Sequence, residues 1–270
     1  MDVPEIFSYQ ALRAKGLTRH AIAKLVDQGV LVRLHQGIYT TSQYPSDATL
    51  AIQNGARLGC LTGCRIHGLW VPEDPDGHIV YGTGKKPRRW PRTQIHRYNS
   101  PLPMAAVWPL RECIEQVLLN HDHETALIVL ESAINRKLLR QYEALELLRT
   151  TPKKVQRLIP YLNGRAMSGS ETRVRYYIER CGVRVVAQVY IPYVGWVDTV
   201  VGDSLIVECD SDAHHSSQES YENDRRRDLA ALDQGHETVR LSYLQIWRQW
   251  EATQLSLMKR IRTGKHRGRT

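Results

Sequence analysis

The chain has 270 residues and a formal net charge of +9 at pH 7, and 42% of its residues are hydrophobic. This length is sufficient for two or three domains with buried cores. Its five cysteines are scattered, which excludes the disulfide framework of small secreted proteins, and no apolar run approaches the ~20 residues that a membrane helix needs. We therefore expect a cytoplasmic protein without a signal peptide or a membrane segment.

The basic charge is concentrated in two short runs. Lys85 to Arg92 contains five basic residues and Lys259 to Arg269 contains six, so the rest of the chain is close to neutral. Localised charge of this kind is typical of arms that contact phosphates. In the first run, the candidate DNA-binding residues are Lys85, Lys86, Arg88 and Arg89. The alternative is that both runs are flexible, solubilising segments.

Residues 1–45 carry the pattern of a small winged helix-turn-helix domain. A short helix is predicted over Phe7 to Lys15, and a second over Arg19 to Gln28, with Thr18 as its N-cap and Gly29 as its stop. Two short strands, Val30 to Leu34 and Gly37 to Thr40, would follow as the wing. The side chains expected to face DNA are Arg19, His20, Lys24, Arg33 and His35.

The stretch from Leu17 to Tyr39, L-T-R-H-A-I-A-K-L-V-D-Q-G-V-L-V-R-L-H-Q-G-I-Y, resembles the N-terminal domain of AbiEi-type antitoxins of type IV toxin–antitoxin systems. This resemblance implies DNA binding, often to an operator, and a partner toxin or defence protein. Some winged helices only dock other proteins, which is the alternative.

Residues 46–163 are predicted to form a mixed, mostly helical middle domain. Helical periodicity covers Asp47 to Leu58, Leu61 to Leu69, Pro109 to Asn120 and Thr125 to Thr150, with short strands near 78–81 and 93–98. Cys60, Cys64 and His67 share one helical face, but a zinc site there lacks a fourth ligand, so buried structural thiols are the preferred interpretation. Pro160 to Ser170, with two glycines, is the predicted linker.

Residues 164–270 contain a set of carboxylates at the spacing of a metal-dependent phosphodiesterase. Three short strands are predicted at 183–191, 196–201 and 204–209, and a turn at Gly202-Asp203 joins the last two. Asp198 and Glu208 would then lie on adjacent antiparallel strands and converge at one sheet edge. Two such carboxylates favour a divalent cation between them. The alternative is that Asp198 only ends a strand and Glu208 pairs with a core arginine.

A capping box, Ser168-x-x-Glu171, is predicted to open the helix that precedes these strands. The helical face of Glu171 includes Val174 and Ile178, so it should pack on the sheet and direct the carboxylate to the same edge. A helix over 217–234, a strand over 236–241 and a helix over 242–262 complete an αβββαβα order. The predicted fold class is α/β, or α+β overall.

From about Ser168 to Trp247 the chain resembles Vsr-like nucleases of the PD-(D/E)XK superfamily, in the motifs V-D, L-I-V-E-C-D, H-H, D-R-R-R-D and G-H-E-T-V-R-L. The resemblance implies a restriction-endonuclease-like core in which Asp198 and Glu208 bind the metal and Glu171 assists. It also implies a catalytic histidine at His214, with His215 as the weaker candidate. Asp210 replaces the usual lysine, which leaves either the histidine to transfer the proton or an inactive site.

These observations predict a Mg²⁺- or Mn²⁺-dependent DNA endonuclease or nickase that is targeted by its N-terminal domain. Arg226 and Arg227 are candidate phosphate clamps, although a solvated helix face with internal ion pairs is the alternative. Cleavage of both strands would favour a homodimer, because one site cuts one strand. The competing hypothesis is an antitoxin-like DNA-binding transcriptional regulator whose nuclease-like domain is inactive.

Overall fold

The computed structural model describes residues 5–41, 47–210 and 218–268 and shows a mixed α and β protein, as predicted. The chain divides into two compact units, Met1–Val129 and Leu130–Thr270, with the boundary inside the helix α6, His123–Asn135. The predicted division into three domains stays a prediction.

Unit 1 begins with a small sheet and two helices. Its elements are β1 (Ile6–Ser8), α1 (Tyr9–Ala14), α2 (Arg19–Asp27), β2 (Val32–His35) and β3 (Ile38–Thr40). β3 pairs antiparallel with both β1 and β2. The predicted start of the first helix at Phe7 is wrong. The Ser8 hydroxyl accepts a hydrogen bond from the Ala11 backbone N–H at 2.9 Å, so α1 begins at Tyr9 and the residues before it pair as a strand.

The remainder of unit 1 surrounds a second three-stranded sheet of order β4-β5-β6. Its elements are α3 (Asp47–Gln53), β4 (Arg57–Leu58), α4 (Cys60–Ile66), β5 (Gly77–Tyr81), β6 (Thr93–Arg97) and α5 (Leu110–Asn120). The helix predicted over 47–58 ends at Gln53, because Gly55 adopts φ +74° and the Ala56 N–H returns to the Ala51 carbonyl at 2.8 Å. Leu34 of β2 packs in the same buried cluster as Ile52 and Ile79, so the first sheet shares a core with this part of the unit.

Unit 2 contains the end of α6, followed by α7 (Gln141–Thr150), α8 (Lys153–Gln156), a 3₁₀ helix (Ile159–Tyr161) and α9 (Gly169–Arg180). The continuous helix predicted over 125–150 is wrong, because Lys137 adopts φ +59° and interrupts it. The segment predicted as a linker is packed. The Asn163 N–H donates to the Glu131 carboxylate at 2.7 Å, and Ala166 is buried.

The sheet of unit 2 has the order β10-β9-β8-β7. Its strands are β7 (Val185–Ile191), β8 (Gly195–Val201), β9 (Leu205–Asp210) and β10 (Glu237–Ser242), and α10 (Gln218–Asp233) connects β9 to β10, which run parallel. This αβββαβ order agrees with the prediction. The helix predicted at the end is instead two helices, α11 (Tyr243–Trp247) and α12 (Trp250–Arg262), because the backbone leaves helical geometry at Gln249.

Candidate functional site

The first candidate surface lies on α2 in unit 1. Thr18 caps this helix as predicted, since its hydroxyl accepts from the Ala21 N–H at 3.1 Å. Ile22 is buried against the domain core, while Arg19, His20 and Lys24 are all exposed. The first turn of α2 contains no acidic residue, so no carboxylate of that turn would repel an anion bound at its positive end. The exposed side of the helix is therefore suited to an anionic partner.

The hairpin of β2 and β3 adds two more basic side chains to unit 1. Along β2, Leu34 is buried while its neighbours Arg33 and His35 are exposed, as strand alternation requires. The turn at Gln36-Gly37 uses the positive φ of Gly37, +73°, to reverse the chain tightly. Together with α2, this wing presents the predicted basic residues on the folded surface of one small domain.

The basic loop between β5 and β6 is anchored at two points. Pro87 is buried and Trp90 packs against the hydrophobic core of unit 1. The predicted DNA-binding residues of this loop are all exposed to solvent: Lys85, Lys86, Arg88 and Arg89. Anchoring favours a positioned basic surface over a flexible, solubilising loop.

The second candidate site, here called the acidic edge, is formed in unit 2 by Glu171, Asp198 and Glu208. The backbone pairing of β8 with β9 extends only as far as Thr199 and Val207. Beyond that pair the carboxylates replace the ladder: the Asp198 N–H donates to Glu208 Oε2 at 3.0 Å, and the Cys209 N–H donates to Asp198 Oδ2 at 2.8 Å. The two strands therefore separate where the two acids meet.

Glu171 reaches this edge from α9. Ser168 caps the helix by accepting from the Glu171 N–H at 3.1 Å, which confirms half of the predicted capping box. The other half is wrong, because the Glu171 carboxylate accepts from the Met167 N–H at 2.8 Å and not from Ser168. The carboxylate is buried and directed at the sheet, as the helical periodicity predicted.

Gln188 joins these acids, although the sequence did not single it out. Its Nε2 donates to Glu171 Oε2 at 3.0 Å and lies 3.4 Å from Asp198 Oδ1. The residue adopts φ +52°, which is rare outside glycine, and the β7–β8 pairing skips this position. Strained backbone of this kind is frequent at functional sites. Nothing in the local sequence distinguishes Gln188 from an ordinary strand residue.

Burial and the nearby charge of Asp198 raise the pKa of both glutamates at the acidic edge. Burial raises the pKa of Glu171 from its ordinary 4.5 to about 7, with a further contribution from the charge of Asp198. Burial likewise raises the pKa of Glu208 to about 7, and the charge of Asp198 adds to this while Arg227 and Arg240 oppose it. The cluster thus favours bound protons or a cation near neutral pH.

The guanidinium of Arg227, a predicted phosphate clamp, donates to acceptors of the protein itself. Its Nε donates to the Val194 carbonyl at 2.8 Å, and one Nη donates to the Trp196 carbonyl and, at 3.2 Å, to Glu208. These bonds occupy the guanidinium and hold it against the acidic edge. Arg226 is exposed and donates to the Asn223 side chain at 2.8 Å through one Nη, so it remains a candidate for phosphate contact.

Arg240 was not anticipated as part of this site. It lies opposite Glu208 in the register of β10 with β9 and pairs with Asp228 at 2.9 Å. Asp210 is 3.8 Å from the same guanidinium. The cations that oppose the raised pKa of Glu208 are therefore arginines, which do not deprotonate to act as bases.

His214 and His215 fall within residues 211–217, outside the described residues, so the predicted catalytic histidine stays a prediction. The basic run at the C-terminal end differs from the predicted arm, because α12 extends to Arg262 and residues after it pack on the unit. Lys265 pairs with Glu237 at 3.1 Å, and its carbonyl accepts from the Ser204 hydroxyl at 3.0 Å.

The carboxylates of the acidic edge do not gather their oxygens into one coordination sphere. Among the described residues, one group of His and Cys side chains has ligand atoms that all lie within 4.8 Å of one another. This group lies in unit 1 and not at the acidic edge. Asp198 and Glu208 each use one oxygen for a backbone N–H, and their other oxygens contact Gln188 Nε2 at 3.4 Å and Arg227 Nη at 3.2 Å. A cation that bound both acids would have to share or displace these two contacts.

Residues 2–41 match a family model described as a transcriptional regulator, AbiEi antitoxin. This range coincides with the β1–α1–α2–β2–β3 segment and supports the N-terminal resemblance. No curated protein matches the chain. No helix within residues 5–41, 47–210 and 218–268 is both long and apolar enough to cross a bilayer.

Proposed function

We propose that this protein is a DNA-binding transcriptional regulator of the antitoxin type, which reads DNA through α2 and the wing of unit 1. The observation that carries this proposal is the family match over residues 2–41, which covers this winged segment. A partner toxin or defence protein is the corresponding expectation for its biological context.

The basic side chains of α2 and β2 are exposed on a helix and a wing, the two elements with which a winged helix contacts the major groove and the DNA backbone. His20 and Lys24 are one helical turn apart and exposed, whereas Ile22 between them is buried, so both can approach base edges when the helix enters a major groove. Arg33 and His35 extend from the wing, where contacts to the phosphate backbone would fix the orientation of the helix.

The decisive test is DNA binding by the full chain. The probes are the duplex upstream of its own gene and a shuffled duplex of equal length, measured by fluorescence anisotropy over a range of salt. Changing Arg19→Ala together with Lys24→Ala should weaken binding, by about 1–3 kcal/mol for each side chain that reads a base. The matched control is Lys153→Ala with Lys154→Ala, which removes the same charge from exposed positions in unit 2. Equal affinity in wild type and the α2 variant would refute the assignment.

We also propose, as a second candidate, that unit 2 hydrolyses DNA phosphodiesters. The supporting observations are the αβββαβ order and the convergence of Glu171, Asp198 and Glu208 where β8 and β9 separate. Asp198 and Glu208 would hold Mg²⁺ or Mn²⁺, since hard oxygen donors suit both ions. The ion, when bound, would neutralise phosphate charge and activate water. Glu171 would stay next to the site through Gln188, and Arg227 would keep Glu208 in place.

An exposed aromatic hairpin beside the acidic edge favours a nucleic-acid substrate. Tyr190 and Trp196 flank the β7–β8 turn and are 60% and 63% exposed, and Tyr193 lies in the turn and is 90% exposed. Large aromatic side chains in water stack readily on unpaired bases. The carbonyl of Trp196 also accepts from Arg227, so the hairpin is linked to Glu208 through that guanidinium.

Cleavage assays separate the two candidates. Supercoiled plasmid and short single- and double-stranded DNA are incubated with Mg²⁺, Mn²⁺ or chelator. If unit 2 is a nuclease, Asp198→Asn should abolish metal-dependent nicking while DNA binding persists. Asp203→Asn, an exposed change in the β8–β9 turn, is the control. Absence of cleavage by wild type on every substrate would leave the regulator with an inactive nuclease-like unit.

A further inference from the structure

Four metal-ligating side chains converge in unit 1, and none of them belongs to the DNA-facing surface or to the acidic edge. Cys60 is the first residue of α4, His78 lies in β5, His96 lies in β6, and His121 caps the end of α5. Cys60 and His78 are fully buried, and the two other imidazoles are half-buried. Each ligand comes from a different element, so the fold alone brings them together.

The ligand atoms lie at the separations of one coordination sphere. One sulfur and three ring nitrogens are all within 4.8 Å of one another. Cys60 Sγ is 3.1 Å from His121 Nε2, and His78 Nδ1 is 3.0 Å from His96 Nε2. Tetrahedral zinc with bonds of about 2.0–2.3 Å to N and S requires ligand-to-ligand edges of about 3.3–3.6 Å. A cation at the centre would need only small side-chain adjustments.

Asp74 supplies the supporting contact that metal-binding histidines usually have. Its Oδ2 lies 3.1 Å from His78 Nε2, and its Oδ1 accepts from the Asp76 N–H at 2.9 Å. When His78 Nε2–H donates to this carboxylate, the lone pair of Nδ1 points toward the cluster. Carboxylate–histidine pairs of this kind fix the tautomer and orientation of ligands.

The backbone at Cys60 is held in an unfavourable conformation that aims its sulfur at the histidines. Its φ is +51°, and its N–H donates to the Gln116 side chain at 2.8 Å. The zinc trio considered from the sequence does not form, because His67 Nε2 is bound to the Trp108 carbonyl at 2.8 Å. In the structure Cys60 meets three histidines that are distant in the sequence, and Cys64 and His67 are not part of the cluster.

We propose that Cys60, His78, His96 and His121 bind one Zn²⁺ in a closed, four-coordinate structural site. Mixed sulfur and imidazole donors suit zinc, and four protein ligands leave no open position for a substrate. The ion would link α4, β5, β6 and α5, so it stabilises the fold of unit 1. This site does not depend on either proposed function. The competing arrangement is a metal-free network in which the same groups hydrogen-bond to one another.

The test uses the full chain, purified without metal-affinity resin, and measures its metal content by mass spectrometry. We expect about one zinc per chain, since closed Cys/His sites bind zinc tightly at neutral pH. Replacement by Co²⁺ should give the intense visible bands of tetrahedral cobalt and a near-ultraviolet thiolate-to-cobalt band. Less than about a tenth of an equivalent of zinc after reconstitution with Zn²⁺ would overturn the site.

Variants then locate the ion. Cys60→Ser should abolish the thiolate-to-cobalt band, and His96→Gln should lower metal affinity by at least about tenfold. Cys64→Ala is the matched control, because this buried thiol lies one turn further along α4 and should leave the spectrum unchanged. Circular dichroism confirms folding of each variant, and His96 is half-buried and tolerates change better than His78. A thiolate band that persists in Cys60→Ser would place the ion elsewhere and refute the proposal.

Discussion

Asp198 and Glu208 terminate the β8–β9 ladder by taking over its hydrogen bonds. The Asp198 N–H donates to the Glu208 carboxylate at 3.0 Å, and the Asp198 carboxylate accepts from the Cys209 N–H of the opposite strand at 2.8 Å. Two acids are thereby fixed next to each other by the backbone itself. Holding these carboxylates together costs folding free energy when they are charged, so the stability of unit 2 should depend on pH.

Without divalent cation, the stability of unit 2 should fall as pH rises from about 4.5 to about 7. The folded pKa values of Glu171 and Glu208 lie above their ordinary 4.5, so the folded state binds more protons than the unfolded state across this window. Stability therefore decreases with pH there, by on the order of 1–3 kcal/mol for each group. Urea unfolding at a series of pH values measures the slope. Glu171→Gln should make the slope shallower, because Glu208 still contributes, whereas exposed Glu146→Gln should leave it unchanged. An unchanged slope in Glu171→Gln would contradict the pKa shift of Glu171.

Loss of the Glu131–Arg175 ion pair should destabilise unit 2 severely. Both side chains are about 1% exposed, and Glu131 also accepts from Thr172 at 2.6 Å and from the Asn163 N–H at 2.7 Å. Glu131→Ala leaves the guanidinium buried without this partner and should cost about 3–5 kcal/mol. The control, Glu146→Ala, breaks an exposed pair with Arg149 and should cost about 0–1 kcal/mol. Denaturant unfolding measures the free energy of unfolding of both variants. Similar losses of stability in the two would contradict the larger contribution predicted for the buried pair.

Gly59→Ala should destabilise unit 1 through crowding. A Cβ at this position would lie 2.6 Å from Gln116 Oε1, 2.6 Å from Val80 and 2.9 Å from Trp108. Relief requires shifts in a packed core, which cost about 1–3 kcal/mol. Gly84→Ala, where a Cβ meets nothing within 4 Å, is the control. Thermal unfolding should give a lower melting temperature for Gly59→Ala than for Gly84→Ala. A melting temperature of Gly59→Ala equal to that of the wild type would contradict the crowding at this position.

The basic loop between β5 and β6 should contribute to DNA affinity through phosphates only. Changing Lys85→Ala together with Lys86→Ala should weaken binding equally for cognate and shuffled duplexes, because phosphates carry no sequence information. The slope of log K against log salt should become shallower by up to about 0.9 for each phosphate that is no longer neutralised. Anisotropy titrations over a range of salt measure it. A selective weakening for the cognate duplex would instead indicate that the loop reads bases.

Local patterns in the sequence were sufficient to predict most helices and strands and the residues that carry charge. Thr18 and Ser168 cap their helices as predicted, Ile22 marks the inner face of α2, and the acids at 198 and 208 lie on adjacent antiparallel strands. Such features can be predicted because caps, helical periods and strand alternation act over a few neighbouring residues.

Which distant groups meet could be learned only from the folded chain. Cys60 and His121 are 61 residues apart in the sequence, yet their ligand atoms are in contact, and Gln188 enters the acidic edge through a backbone conformation that no local pattern signals. Arg227, a candidate phosphate ligand from the sequence, has three acceptors of the protein around its guanidinium, which the sequence did not indicate. Convergence of this kind depends on sheet register and packing between elements, and local periodicity contains no information about either.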